Sequence, residues 1–300
     1  MAKKKKKDEQ LPEGMSRRQA KLAARAAERA ALERDPRPYA GFAMEADLVA
    51  LQEFVPSAFA KLPVTFDRDV YVATVLPGAA GAMVQDDGTA YVALQTQSHT
   101  HNPGRDLAFA LAWVRDAKPG DTLASTAADG TQPPLTELLD ASGALDVEAR
   151  EDFNWWLPSD AALDPAAAQS LKAANDTIMP SYQVTGSFDG VAWWIDPGEK
   201  AHIRWVRTDD EEKLMRALAR IAAVGALDLG EGTKFAGVFR THGIAVPVWD
   251  LPVDVSYETY GPLLEKLDKK IAASIEADED LSADARRALE NIKSRQVTIR

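Results

Sequence analysis

Four side chains in the back of the sequence carry groups able to do chemistry: Glu231 in the run GEGT, Arg240 and His242 in FRTHG, and Asp250 in VPVWDLP. Carboxylates, a guanidinium and an imidazole are the general bases, acids and oxyanion binders of a small-molecule hydrolase or transferase. Their spacing limits that reading. If residues 235–240 pair with 244–249 as a hairpin, Arg240 and His242 sit at its turn and Asp250 at the far end. Several strand residues of roughly 3.3 Å each then separate the histidine from the aspartate. No serine stands in a GxSxG elbow, and a chain without cysteine has no thiolate nucleophile and no cysteine-ligated zinc. Asp250, followed by Leu251-Pro252, reads more simply as a turn residue accepting from backbone N–H groups. GEGT lacks the context of a nucleotide loop and reads as a connector. No residue is assigned a catalytic role.

The remaining histidines are His99, His101 and His202. His99 and His101, two apart, would share one face of a strand and take a metal with a third ligand such as Asp106. Their setting, QSHTHNPG, reads instead as a polar loop entering a helix cap, and no metal or cofactor is expected. Tryptophan concentrates in the centre and back: Trp155-Trp156, Trp193-Trp194, Trp205 and Trp249. Adjacent residues of a strand point to opposite faces, so one ring of each pair enters a core and the other faces outward or into a cleft. Core packing accounts for all of them; a ring such as Trp205 or Trp249 beside Arg204 or Arg240 would instead anchor a ligand or partner.

Charge is distributed unevenly. Residues 1–38 hold twelve basic against six acidic residues, a net +6, which leaves −17 of the overall −11 on the rest. Lys3, Lys4, Lys5, Lys6, Lys7, Arg17, Arg18, Lys21, Arg25 and Arg29 form a basic arm on an acidic body. Local lysine and arginine density sets phosphate attraction, so the arm suits a polyanion such as RNA or a ribosome; a solubilising leader is the plainer reading. No apolar stretch follows the lysines, so they are not read as a signal peptide, and no apolar run approaches a membrane span. A reducing, cytoplasmic setting fits the missing cysteine.

These residues must be positioned by elements that the pattern marks out. SRRQAKLAARAAERAALER, with Ser16 and Gln19 as a capping box, predicts a helix over 17–34 whose alanine face is too small to bury firmly. Asp35-Pro36-Arg37-Pro38 ends it. MEADLVALQEFV predicts a helix near 44–54; strands follow, with turns at Pro77-Gly78 and Asp86-Asp87-Gly88, then a helix opened by Asn102-Pro103. The back half repeats this order: strands about Asp196-Pro197-Gly198-Glu199, a helix with Thr208 and Glu211 as capping box, strands broken at His242-Gly243, and a long helix from Thr259. At an offset of about 107 Leu107, Leu111 and Val114 fall on Leu214, Leu218 and Ile221; at about 113, Gly130, Pro134 and Leu138 fall on Gly243, Pro247 and Leu251. The fold class is α+β: two related modules of antiparallel strands plus helices, over 39–150 and 180–300, with a connecting segment 151–179 and the basic arm 1–38. The span 116–179, rich in glycine and alanine and holding a helix at LDPAAAQSLKAANDTI, reads as a linker or an insertion packing on both. Ser282 opens a last charged helix, and QVTIR reads as an edge strand.

GEGT, GVFRTHG and VPVWDLP, with SRQVTIR at the end and RPYAGFAMEADLVALQEFVP at the front, resemble an actinobacterial family of unknown function over about Pro38 to Arg300. Similar proteins carry labels such as SecA-like translocase component or topoisomerase. This chain has no Walker loop for the first and no catalytic tyrosine context for the second. Relatives with a cysteine-rich, zinc-binding N-terminus imply attachment to a large partner; here lysines replace the cysteines, so zinc does not carry over. The combined reading is a non-enzymatic binding or adaptor protein tethered to RNA or a ribosome by its arm. A small-molecule hydrolase or transferase with Glu231, Arg240, His242 and Asp250 between the modules is the alternative, and a homo-oligomer pairing through QVTIR the third. Oligomeric state and any protein partner are open.

Overall fold

A computed structural model describes residues 35–156, 163–277 and 279–298; the helix expected over 17–34 and the arm cations lie outside them. Two six-stranded sheets carry the fold. The first is built from β1 (Ala58–Lys61), β2 (Val70–Ala73), β3 (Ala82–Val84), β4 (Ala90–Ala93), β5 (Thr122–Leu123) and β6 (Glu148–Ala149), in the order β5-β3-β4-β2-β1-β6. The second joins β7 (Ser181–Val184), β8 (Val191–Ile195), β9 (Ala201–Val206), β10 (Lys234–Thr241), β11 (Ile244–Leu251) and β12 (Val297–Thr298), in the order β12-β10-β11-β9-β8-β7. Pairing is antiparallel except for β2 with β4 and β10 with β12, so the fold is α+β. Within QVTIR, Val297 and Thr298 form an edge strand parallel to β10.

Helix α1 (Glu45–Glu53) joins the layers. Ala46, Leu48, Val49, Ala50 and Leu51 are all buried, as is Glu45, and a helix buried round most of its circumference belongs inside a structure rather than on it. It packs on β8 and β9. Its apolar cluster takes in Val70, Val72 and Val92 of the first sheet, helix α2 (Pro103–Asp116), and Trp193, Ile195, Val206, Ile244 and Val246 of the second. One core therefore runs through both sheets.

The other face of the second sheet is covered by α5 (Glu211–Ala223), α6 (Gly261–Ala277) and α7 (Ala283–Ser294), around Trp194, Trp205 and Trp249. Strand alternation explains why Trp193 and Trp194 belong to different cores: both rings are buried, one on each face. Trp155 packs on the outer face of the first sheet and donates to Ser57 Oγ at 3.0 Å. Among the described residues no helix is long and apolar enough to cross a membrane.

Three local expectations change. Helix α5 is capped by Asp210, whose side chain accepts from Lys213 N at 3.0 Å, and not by Thr208; the Thr208 carbonyl accepts from Arg37 instead. The span 116–179 is no plain linker, since β5 and β6 form the two edges of the first sheet and the one-turn α3 (Leu135–Leu138) buries Leu135 and Leu138. The helix α4 (Pro165–Asn175), capped by Asp164, has no buried residue. The offset that superposes α2 on α5 holds for the helices and their buried leucines, but its second block sets β11 against a loop and α3. In both sheets four successive strands lie in the order third, fourth, second, first, yet β2–β4 is parallel where β9–β11 is antiparallel.

Candidate functional site

The tip of the β10–β11 hairpin is a two-residue turn. Thr241 pairs with Ile244, and His242 and Gly243 between them have φ of 47° and 72°. Two successive positive φ values make a type I′ turn, whose twist matches that of the strands. Glycine is required at 243 for a second reason: a Cβ there would lie 2.4 Å from the Pro36 carbonyl. His242 accepts a backbone conformation that asparagine or glycine would adopt more easily, and its side chain shows what it gains.

The ring turns inward and is buried, with Nε2 2.7 Å from Glu53 Oε1 at the end of α1. An ionised carboxylate only accepts, so Nε2 carries the hydrogen, and Nδ1 presents a lone pair when the ring is neutral. Nδ1 has no partner among the described residues. The end of α1 is itself held: Gln95 Nε2 donates to the carbonyls of Leu51 and Val55, both at 2.7 Å, satisfying groups a helix terminus leaves open. Tyr39 Oη donates to Gln52 Oε1 at 2.6 Å, and its ring lies 6.0 Å from that of His242. Burial holds the Tyr39 phenol far above its ordinary range, so it remains a neutral donor.

His242, Glu53 and Gln52 line a cavity of about 480 Å³ with Gln95, Thr96, His99 and His101, a size suited to a small polar ligand or a nucleotide. A roomier groove of about 700 Å³ lies beyond β10, but there Glu211 already binds Arg240 and accepts from Gln296 at 2.9 Å. His99 and His101 are exposed at the cavity mouth, and His99 Nδ1 lies 2.8 Å from the Thr100 carbonyl. Asp106 does not join them as a ligand. Its carboxylate accepts from Thr100 N at 2.8 Å, Thr100 Oγ1 at 2.9 Å and Ala128 N at 2.9 Å, bracing two loops. Among the described residues no three His, Asp or Glu side chains are placed to hold a metal.

The four residues that sequence reasoning grouped do not converge. Arg240 points from the opposite face and bonds Glu211, Nε to Oε1 at 3.0 Å. Glu231 is exposed in the turn before β10. Asp250 lies eight residues beyond His242, roughly 26 Å along an extended strand, and accepts from Lys200 Nζ at 3.2 Å rather than from the backbone N–H groups expected of it; His202 Nδ1 lies 3.2 Å away without hydrogen-bond geometry. Trp205 and Trp249 are fully buried, donating to the carbonyls of Asp189 and Leu227 at 2.8 Å. Arg204 is half-buried, its guanidinium 5.3 Å from the Phe54 ring centroid and 5.9 Å from that of Phe239. Glu53 was missed; only its position at the end of a largely buried helix marks it in the sequence.

Residues 38–300 match the family described as "Family of unknown function (DUF5926)", and the chain belongs to that family. No curated protein matches the chain, and no solved structure does.

Proposed function

We propose that this family member is a cytoplasmic binding protein that holds a polyanion, RNA or a ribosome, with its basic arm and contacts it through the cavity at His242. One observation carries the reading: the arm joins the body at the rim of that cavity. Asp35 N donates to Asn102 Oδ1 at 2.6 Å, and Pro36 and Arg37 pass over Gly243. Arg37 forks onto Glu45 at 2.6 and 2.8 Å and donates to the Thr208 carbonyl at 2.9 Å. Residues 35–37 are thus fastened between the Asn102-Pro103 cap and the hairpin tip, both beside the cavity, and the lysines precede them.

Charge supports the same division of labour. A body of net −17 repels a polyanion, so capture falls to the arm, with an affinity that falls steeply with salt. RNA binding measured for the full chain and for a chain beginning at Asp35 tests this, because that truncation spares the fastened residues. Loss of salt-sensitive binding on truncation is the expected result; equal binding by both chains refutes the tether.

A second reading, a small-molecule hydrolase or transferase, has the His242–Glu53 pair in its favour, since a carboxylate-oriented imidazole facing a cavity is the arrangement of a general base. Turnover of ester or phosphoester substrates abolished by His242→Asn would favour it over binding alone.

A further inference from the structure

Four groups on the wall of the His242 cavity have hydrogen-bonding capacity that the fold does not use. His242 turns Nε2 to Glu53, which leaves Nδ1. Gln95 directs Nε2 to the carbonyls of Leu51 and Val55, which leaves Oε1; Gln52 accepts from Tyr39 Oη on Oε1, which leaves Nε2. The fourth is Thr241. It is 3% exposed, and alternation on β10 puts its hydroxyl on the side of Phe239, toward the core that both sheets share. That hydroxyl has no hydrogen-bond partner among the described residues. None of the four atoms is sealed in protein, so the surface each keeps opens on the cavity that its residue lines. Polar groups set this deep are costly unless bonded, and here two acceptors, a donor and a hydroxyl share one space.

The same wall disfavours a phosphate. It holds the Glu53 carboxylate and, among the described residues, no lysine or arginine. The helix N-terminus beside it, that of α2, already has the Asp106 carboxylate in its first turn. We infer that the cavity takes a neutral, planar heterocycle with N–H donors and an acceptor on one edge: an unstacked nucleobase of the bound RNA, whose phosphates stay outside with the arm. Gln95 Oε1 and the neutral His242 Nδ1 accept from the base, Gln52 Nε2 donates to it, and Thr241 Oγ1 does either. Leu94 and Pro103 on the wall, with the imidazoles of His99 and His101 at the mouth, suit a flat ring, and a base freed from its stack is read on such an edge. Arm and cavity then divide the work as phosphate and base contacts do, the first positioning and the second specifying. The choice of a nucleobase rests on the polyanion reading above; the exclusion of phosphate from the cavity does not.

The test is a titration of the full chain with the common ribonucleosides, following the His242 ring Cε1–H resonance, assigned by its loss in His242→Asn. Ribose 5-phosphate and inorganic phosphate are titrated in parallel at matched ionic strength. The expected result is a saturable shift with at least one nucleoside, no tighter binding of its monophosphate, and no saturable shift with ribose 5-phosphate or phosphate. Thr241→Val, which replaces the hydroxyl by a methyl of the same shape, weakens binding of that nucleoside ~3–10-fold. It does not lower the denaturation midpoint, since in the chain itself the hydroxyl bonds nothing described; a purely structural threonine would show the reverse. With single-stranded RNA the same variant lowers affinity and keeps the salt slope, because the arm sets that slope. Absence of a saturable shift with every nucleoside, or tighter binding of the monophosphate or of phosphate, overturns the inference. A nucleoside that binds but is not displaced by RNA overturns its assignment to RNA. If the chain beginning at Asp35 keeps the nucleoside shift and binds RNA as the full chain does, the tether fails and the base pocket stands. If no nucleoside binds while truncation still removes salt-sensitive RNA binding, the pocket fails and the tether stands.

Discussion

His242 Nε2 and Glu53 Oε1 lie 2.7 Å apart although 189 residues separate them in the chain. The contact fastens the tip of the β10–β11 hairpin to the end of α1, the helix whose core both sheets share. His242 keeps a positive φ for it.

The pair is therefore expected to be coupled in stability. Glu53→Gln leaves a buried imidazole with a weaker partner and costs about 1–2 kcal/mol. His242→Asn costs less, because Asn-Gly is the favoured type I′ sequence and offsets part of the lost contact. A double-mutant cycle in urea should return a coupling near 1–2 kcal/mol. Additive effects would mean the contact contributes nothing.

Gly243→Ala should detach the root of the arm. The added methyl meets the Pro36 carbonyl at 2.4 Å and stands at φ 72°, so a cost of about 1–3 kcal/mol is expected. Amide exchange should accelerate at residues 35–38 more than in β8 or β9. Uniform acceleration would point to global destabilisation instead.

Asp47, on buried helix α1, gives the fold a pH dependence. Burial pushes its carboxyl up to about 6. The unfolded value lies near 3.9, so between about pH 4 and 6 the folded chain binds more protons and stability falls as pH rises through that window. Asp47→Asn should remove that slope and raise stability at pH 7 by ~2–3 kcal/mol. Denaturation midpoints from pH 4 to 7 measure both effects. An unchanged slope would show that Asp47 is not its source.

Arg207 is fully buried on the far side of the second sheet, bonded to Asp209 at 2.7 Å and to Asp268, and stacked 4.5 Å from the Trp205 ring. Arg207→Ala strands the Asp268 carboxylate and should cost about 3–5 kcal/mol. Arg207→Met in an Asp268→Leu background should recover most of it, since apolar packing replaces a desolvated pair. Thermal denaturation distinguishes the two.

Much of the architecture was legible in the sequence because it is locally encoded. The runs 191–206 and 234–251 are apolar strands around Asp196-Pro197-Gly198 and His242-Gly243, and they fold as such. Ser282 caps its helix as expected, accepting from Ala285 N at 3.1 Å. Strands β1, β5 and β6 escaped because four and two residues carry no readable alternation; their pairing with distant strands makes them strands at all. The site was half legible. His242 at a turn was visible, but its partner is not the nearby Asp250. Strand rise sends Asp250 to the other end of the hairpin, and helix packing brings Glu53 to the histidine, a relation that no spacing within the hairpin encodes. Arg204 was marked as a possible anchor beside Trp205; alternation on β9 puts the two on opposite faces, and its aromatic neighbours are Phe54 and Phe239.

The most direct measurement is the affinity of a single-stranded RNA for the full chain and for the chain beginning at Asp35, across a range of salt. The account predicts that the full chain binds with a steep negative salt slope and that truncation weakens binding at least ~10-fold and flattens the slope. Equal affinity and equal slope for the two chains would contradict it.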